Sequence, residues 1–132
     1  MIVVDAGLAL RWFLERDLSP EGTAALDYVG EHGASVPGNF HTEVAQGFIQ
    51  AERRQRMGAT DVAAALSDLM SLSLTVDLPD THVIVATARE HGLTGHDAAY
   101  LALALKLNLP LATVDEALRA AARSAKILWE AR

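Results

Sequence analysis

The chain of 132 residues contains no cysteine. That excludes disulfide staples and thiolate metal sites, and it suits a reducing compartment such as the cytoplasm. Aromatic residues make up only 5% of it, so Trp12 and Phe13 read as core or subunit interface rather than as a platform for stacked bases. No apolar run reaches the roughly 18 residues that a membrane span needs. The opening "MIVVDAGLAL" has no basic segment ahead of its apolar residues, so no secretory leader is expected. Positive charge is scarce: 11 Lys and Arg stand against 17 Asp and Glu, for a net charge of −6. A passive nucleic-acid coat is usually basic, because phosphate contacts supply most of its affinity. The balance does not exclude an enzyme whose acids are concentrated at one site. Glycine-rich phosphate loops and the G-x-S-x-G elbow are missing as well. Gly7 occupies the second acid position of a D-x-D-x-T phosphatase motif. "LATVD" ends in an acid where a phospho-accepting receiver domain wants a lysine.

What is present is an apolar half, 51% of the residues, enough to bury a real core at this length. Residues 1–132 are expected to form a single domain, with no linker, repeat or low-complexity segment. "IVV" (2–4), "ASVP", "LTVDL" and "PLATV" read as strands, and "KILW" as a short final one. Helices alternate with them. "AGLALRWFLER" turns Leu8, Trp12 and Leu14 inward and Arg11, Glu15 and Arg16 outward. "SPEGTAALDYVGEHG" opens on Ser19 with Pro20 at the first helical position and closes at Gly33. The next helix is expected to run from an Asn39 cap to Gly58, with Phe40, Val44 and Phe48 inward. Another follows behind Thr60, one runs from Asp80 to a Gly92 stop, one begins at Asp97, and a last one is "DEALRAAARSA". The alternation predicts an α/β fold: a mostly parallel sheet of four to five strands between two helical layers. In such sheets, sites form beyond the carboxyl ends of the strands.

Four acids are candidates for that edge. Asp5 directly follows "IVV", Asp115 directly follows "LATV", Glu43 lies one turn into the helix after the second strand, and Asp97 begins a helix. Each has a simpler reading. The three aspartates are natural helix caps, and Glu43 can be a solvated helix residue. Capping leaves a second carboxylate oxygen free, so the two roles are compatible. Together, four carboxylates with no lysine or arginine within two residues of any of them would repel one another unless a hard divalent cation sits between them. An all-carboxylate site with open coordination positions fits hydrolysis of a phosphodiester.

The segments "VVDAGLALRWFLE", "HTEVAQGF" and "GLTGHDAAYLALALKLNLPLATVDEAL" resemble the PIN-domain ribonuclease toxins of the VapC type, over almost the whole chain and in order. The resemblance implies a three-layer α/β/α PIN-like domain. It also implies a Mg²⁺- or Mn²⁺-dependent endoribonuclease that acts on RNA, often tRNA or rRNA, and leaves a 5′-phosphate and a 3′-hydroxyl. Such a protein is the toxin of a type II toxin–antitoxin pair, a homodimer inhibited by a cognate VapB-type antitoxin. Carried over, the resemblance makes Asp5, Glu43, Asp97 and Asp115 the catalytic and metal-binding acids and Thr113 a supporting hydroxyl. Three positions depart from the family's pattern. Gly7 replaces a common serine, Gln46 a common asparagine, and His96 a frequent aromatic residue. Arg11, Arg16 and the cluster Arg53, Arg54 and Arg56 are candidate phosphate contacts. The five histidines show no zinc-like spacing. His41 and His96 are of interest because each lies close to a proposed acid. The run "AAYLALALKL" reads as core without chemistry. The competing reading is a catalytically weak PIN-like module whose acidic pocket docks an antitoxin or RNA.

Overall fold

A computed structural model describes residues 1–15 and 18–131. Among them the order is β1 (Ile2–Val4), α1 (Ala6–Leu14), α2 (Pro20–His32), β2 (Ala34–Val36), α3 (Phe40–Arg53), α4 (Ala59–Ser71), β3 (Leu74–Val76), α5 (Thr81–His91), α6 (Gly95–Leu107), β4 (Leu111–Ala112) and α7 (Glu116–Ser124). The four strands are all parallel, in the order β3-β2-β1-β4. "KILW" does not add a fifth strand. Only Leu128 pairs, as an isolated bridge to Leu111, so the expected four to five strands resolve to four. Among the described residues no helix is long and apolar enough to cross a membrane.

Ile2, Val3 and Val4 are all fully buried. Successive strand residues point to opposite faces, so both faces of β1 are covered, as in a three-layer α/β/α fold. α1 packs on α2 and α3, and α3 on α4. α6 packs on α5, α7 and β1. The alanines of α6 suit this crowded position, where Ala98 to Ala104 are buried without interruption. β3, at the edge, is much more exposed.

The chain runs outward from β1 to β2 to β3 and then returns to place β4 on the other side of β1. The strand order therefore reverses between β1 and β4, the kind of switch point beyond whose carboxyl strand ends sites form in open α/β sheets. Asp5 directly follows β1, Asp115 lies between β4 and α7, and Glu43 and Asp97 each stand in the first turn of a helix.

Several local expectations hold. Ser19 caps α2 with Pro20 behind it, and Gly92 ends α5 in the left-handed conformation. Others are corrected. α3 stops at Arg53, short of the expected glycine, with Gln55 at φ 59° in the turn, and Gly58 instead precedes α4. α4 begins at Ala59, ahead of Thr60, because Asp61 accepts a hydrogen bond from the Gly58 N–H and closes the first turn. Arg16 lies outside the described residues.

Candidate active site

β1 ends at Val4 and α1 begins at Ala6, so Asp5 is the joint between them. Its Oδ1 accepts the Leu8 N–H at 2.9 Å and caps α1. Its Oδ2 accepts the Thr113 hydroxyl. This second bond follows from sheet register: Val4 pairs with Ala112, which brings the next residues of β1 and β4 side by side. Thr113 is buried and also accepts the Asp115 N–H at 3.1 Å. One hydroxyl thus ties the first acid to the backbone of the last. Asp115 caps α7 by accepting from Leu118 N–H through Oδ2 at 2.9 Å.

Asp97 behaves differently from the expectation that it caps its own helix. Thr94 is the cap: α6 begins two residues before Asp97, and the Thr94 hydroxyl oxygen accepts the Asp97 N–H at 3.2 Å. Asp97 stands in the first turn, half-buried, without the capping duty that Asp5 and Asp115 carry.

The three aspartates are within electrostatic reach of one another. Burial pushes the Asp5 carboxyl up to about 6; the Thr113 and Leu8 hydrogen bonds oppose this, and the charges of Asp115 and Asp97 add to it. Asp97 is also raised, by burial first and by Asp115 next, while the Thr94 hydroxyl and His96 act to lower it. No lysine or arginine appears among the influences on either acid. An oxygen-only donor set of mutually repelling carboxylates is one that a hard divalent cation completes, so the residues present fit Mg²⁺ or Mn²⁺. As the side chains stand, no three acid or histidine groups among the described residues close into a coordination shell. The aspartates form an open set at the switch point, not a finished cage.

Glu43, on the first turn of α3, belongs to the neighbouring part of this edge. Its Oε1 accepts the Tyr100 hydroxyl at 3.0 Å and an Asn39 Nδ2–H. Asn39 therefore does not cap α3 with its side chain, as the sequence suggests. It turns to Glu43 and reaches the His96 carbonyl at 3.5 Å. Tyr100 sits inside the run read as core without chemistry. Its ring is core, but its hydroxyl serves Glu43. Burial, then the nearby Glu43 and Asp5 charges, hold that phenol strongly protonated.

The supporting positions divide. Gly7 is exposed, and a Cβ there would lie 3.8 Å from Asp5 Oδ1, so a side chain would stand beside that carboxylate. His96 is exposed next to Asp97, while Gln46 and His41 are exposed on α3. Arg11 is one and a half turns beyond Asp5 and pairs with Glu15 at 3.5 Å. Arg53, at the far end of α3, is about 15 Å along the helix axis from Glu43, and Arg54 and Arg56 lie beyond it. The fold does not bring that cluster to the acids. A basic residue that sequence reading missed is closer: Arg119, whose Nη1 donates to the Thr113 carbonyl at 3.0 Å and pairs with Glu21 at 3.4 Å. Its signal was the four-residue spacing from Asp115, which puts both on one face of α7.

Known proteins are similar to this chain over most of its length. The PIN domain profile matches residues 2–124. VapC ribonuclease Mb0985 of Mycobacterium bovis is 32% identical over 120 residues, covering 87% of this chain and 86% of its own length. Ribonuclease VapC9 of Mycobacterium tuberculosis matches to the same extent. The crystal structure of PAE2754 from Pyrobaculum aerophilum superposes with a TM-score of 0.70 at 27% identity, over 91% of this chain and 83% of that one.

Proposed function

Since the chain belongs to the PIN-domain family, in its VapC branch, we propose that it is a metal-dependent endoribonuclease and the toxin of a type II toxin–antitoxin pair. The observation that carries the proposal is the mutual electrostatic influence of Asp5, Asp97 and Asp115, brought from three separate segments to the β1–β4 switch point with no lysine or arginine among the influences on Asp5 or Asp97. Asp5, Asp97 and Asp115 would hold Mg²⁺ or Mn²⁺, and Glu43 completes the acidic set. When bound, such an ion lowers the pKa of water and withdraws charge from phosphoryl oxygens.

The chain's own residues supply position. Thr113 and the Leu8 N–H hold Asp5 in one rotamer. The cap bond to Leu118 does the same for Asp115. Glu43 either joins the ligands or orients the attacking water. A water attacking the phosphorus leaves a 5′-phosphate on one product and a 3′-hydroxyl on the other. The acids repel RNA phosphates, so RNA binding and metal binding are coupled. The same reading makes residues 1–132 one cytoplasmic PIN-like domain that works as a homodimer on tRNA or rRNA and is silenced by a VapB-type antitoxin. Arg11, Arg16 and the cluster Arg53, Arg54 and Arg56 then serve RNA backbone binding.

Incubating antitoxin-free protein with total RNA and Mg²⁺ or Mn²⁺ tests this. Discrete fragments bearing 5′-phosphates, abolished by EDTA, are expected. Intact RNA over a broad substrate set would overturn the enzymatic reading. It would leave the second one, a catalytically weak module that docks RNA or antitoxin, favoured by the missing hydroxyl at Gly7. In cells, Asp5→Asn and Asp97→Asn should each relieve growth arrest.

A further inference from the structure

We propose that Tyr100 and Asn39 are positioning residues that act through Glu43, fixing its carboxylate at the rim of the acidic site. The inference rests on the nuclease reading for the purpose of the positioning, but the geometry stands apart from it. Both donors land on one oxygen, Oε1, from different elements: Asn39 from the residue before α3, and Tyr100 from one turn beyond Asp97 on α6. Among the described residues no donor occupies Oε2. A glutamate on a helix surface otherwise explores several rotamers, and immobilising it costs side-chain entropy. Two donors to an ionised carboxylate offset that loss in advance. Tyr100 suits the task because its ring is fully buried while its hydroxyl emerges at the edge of the core, 1% exposed overall. Asn39 also reaches the His96 carbonyl, the residue before Asp97. The contacts of Glu43 therefore lead directly to the helix that presents Asp97, and α3 and α6 are registered against each other through one carboxylate.

The test is a double-mutant cycle. Tyr100→Phe keeps the ring and removes only the donor. With RNA substrate, kcat is expected to fall about tenfold or more with KM little changed, in line with the loss of a hydrogen bond to an active-site group. In a Glu43→Gln background, where the carboxylate charge is already gone, the same substitution should change kcat less than twofold. Mn²⁺ affinity measured by electron paramagnetic resonance gives a readout independent of turnover: weakening by Tyr100→Phe in the parent protein, and no change in the Glu43→Gln background. Asn39→Ala, outside the core, repeats the test should Tyr100→Phe perturb folding. An inactive parent protein whose Mn²⁺ affinity still shows the coupling would sink the nuclease reading and keep the positioning role. Equal losses in the parent and in the Glu43→Gln background, or no loss in either readout, would overturn the positioning role itself.

Discussion

Asp5 concentrates the conflict in this molecule. It is 5% exposed and its carboxyl is raised to about 6, so the fold retains its proton through a range where the unfolded chain has lost it. From pH about 4 to about 6 the folded state binds more protons than the unfolded one, so this group's contribution to stability falls as pH rises. Below about 4 both states are protonated and nothing is lost; above about 6 the full penalty is in place. The metal-free Asp5→Asn protein should therefore be more stable than the parent at pH 7.5, by about 1–3 kcal/mol, and nearly equal to it at pH 4. Urea unfolding in EDTA at the two pH values checks this, and an equal difference at both would show that burial of the charge is not the cause. Gly7 offers the opposite experiment. A Cβ there meets nothing closer than Asp5 Oδ1 at 3.8 Å, so Gly7→Ser fits without displacement. The serine hydroxyl should raise Mn²⁺ affinity or cleavage rate several-fold, of the size expected for one added hydrogen bond. Both residues were legible in the chain as the acid after a β-branched run and as a departure from a common serine. The bond from Thr113 and the depth of burial were not, because they come from a residue 108 positions away.

At the scale of elements, the site is assembled by helix beginnings. α1 and α7 are capped by the acids themselves, whereas α6 is capped by Thr94. That division matters: Asp5 and Asp115 each give one oxygen to a backbone N–H, and Asp97 is relieved of the duty. Thr94→Ala should cost about 1 kcal/mol of stability. It should also lower cleavage more than an equally destabilising change at another helix end, since it loosens the turn that presents Asp97. Thermal melts and initial rates on the same samples compare the two effects. The helix itself was plain from "DAAYLALALKL", but its first residue was not, because Thr94 and Asp97 are both good caps and local propensity does not choose between them. Asn39 shows the same limit. It is a natural cap by type, yet its side chain goes to Glu43, four residues on, and to the His96 carbonyl that α6 brings to it. Likewise "KILW" has a strand's composition yet pairs at one residue, Leu128, because β4 beside it is only two residues long.

For the molecule as a whole, Asp5, Asp97 and Asp115 disfavour one another's charge, a repulsion that the proposed cation would relieve. Mn²⁺ at millimolar concentration should raise the melting temperature by several degrees, on the order of what a 1–2 kcal/mol linkage produces in a domain this size. Asp5→Asn combined with Asp97→Asn should abolish the shift, which differential scanning fluorimetry with and without EDTA would detect. An equal shift in the double variant would place metal binding elsewhere. The amino-acid sequence alone determined the α/β class and most of the helices, and it marked the four acids as candidates, because periodicity, caps and strand-ending residues are local properties read within a few positions. The strand order β3-β2-β1-β4, the switch point it makes between β1 and β4, the union of Asp5 with Thr113, and the recruitment of Tyr100 to Glu43 were decided only by the tertiary structure. Each of those depends on which distant segments the burial of the core brings together, and a hydroxyl inside an apolar run reveals its purpose only when its partner arrives from another element.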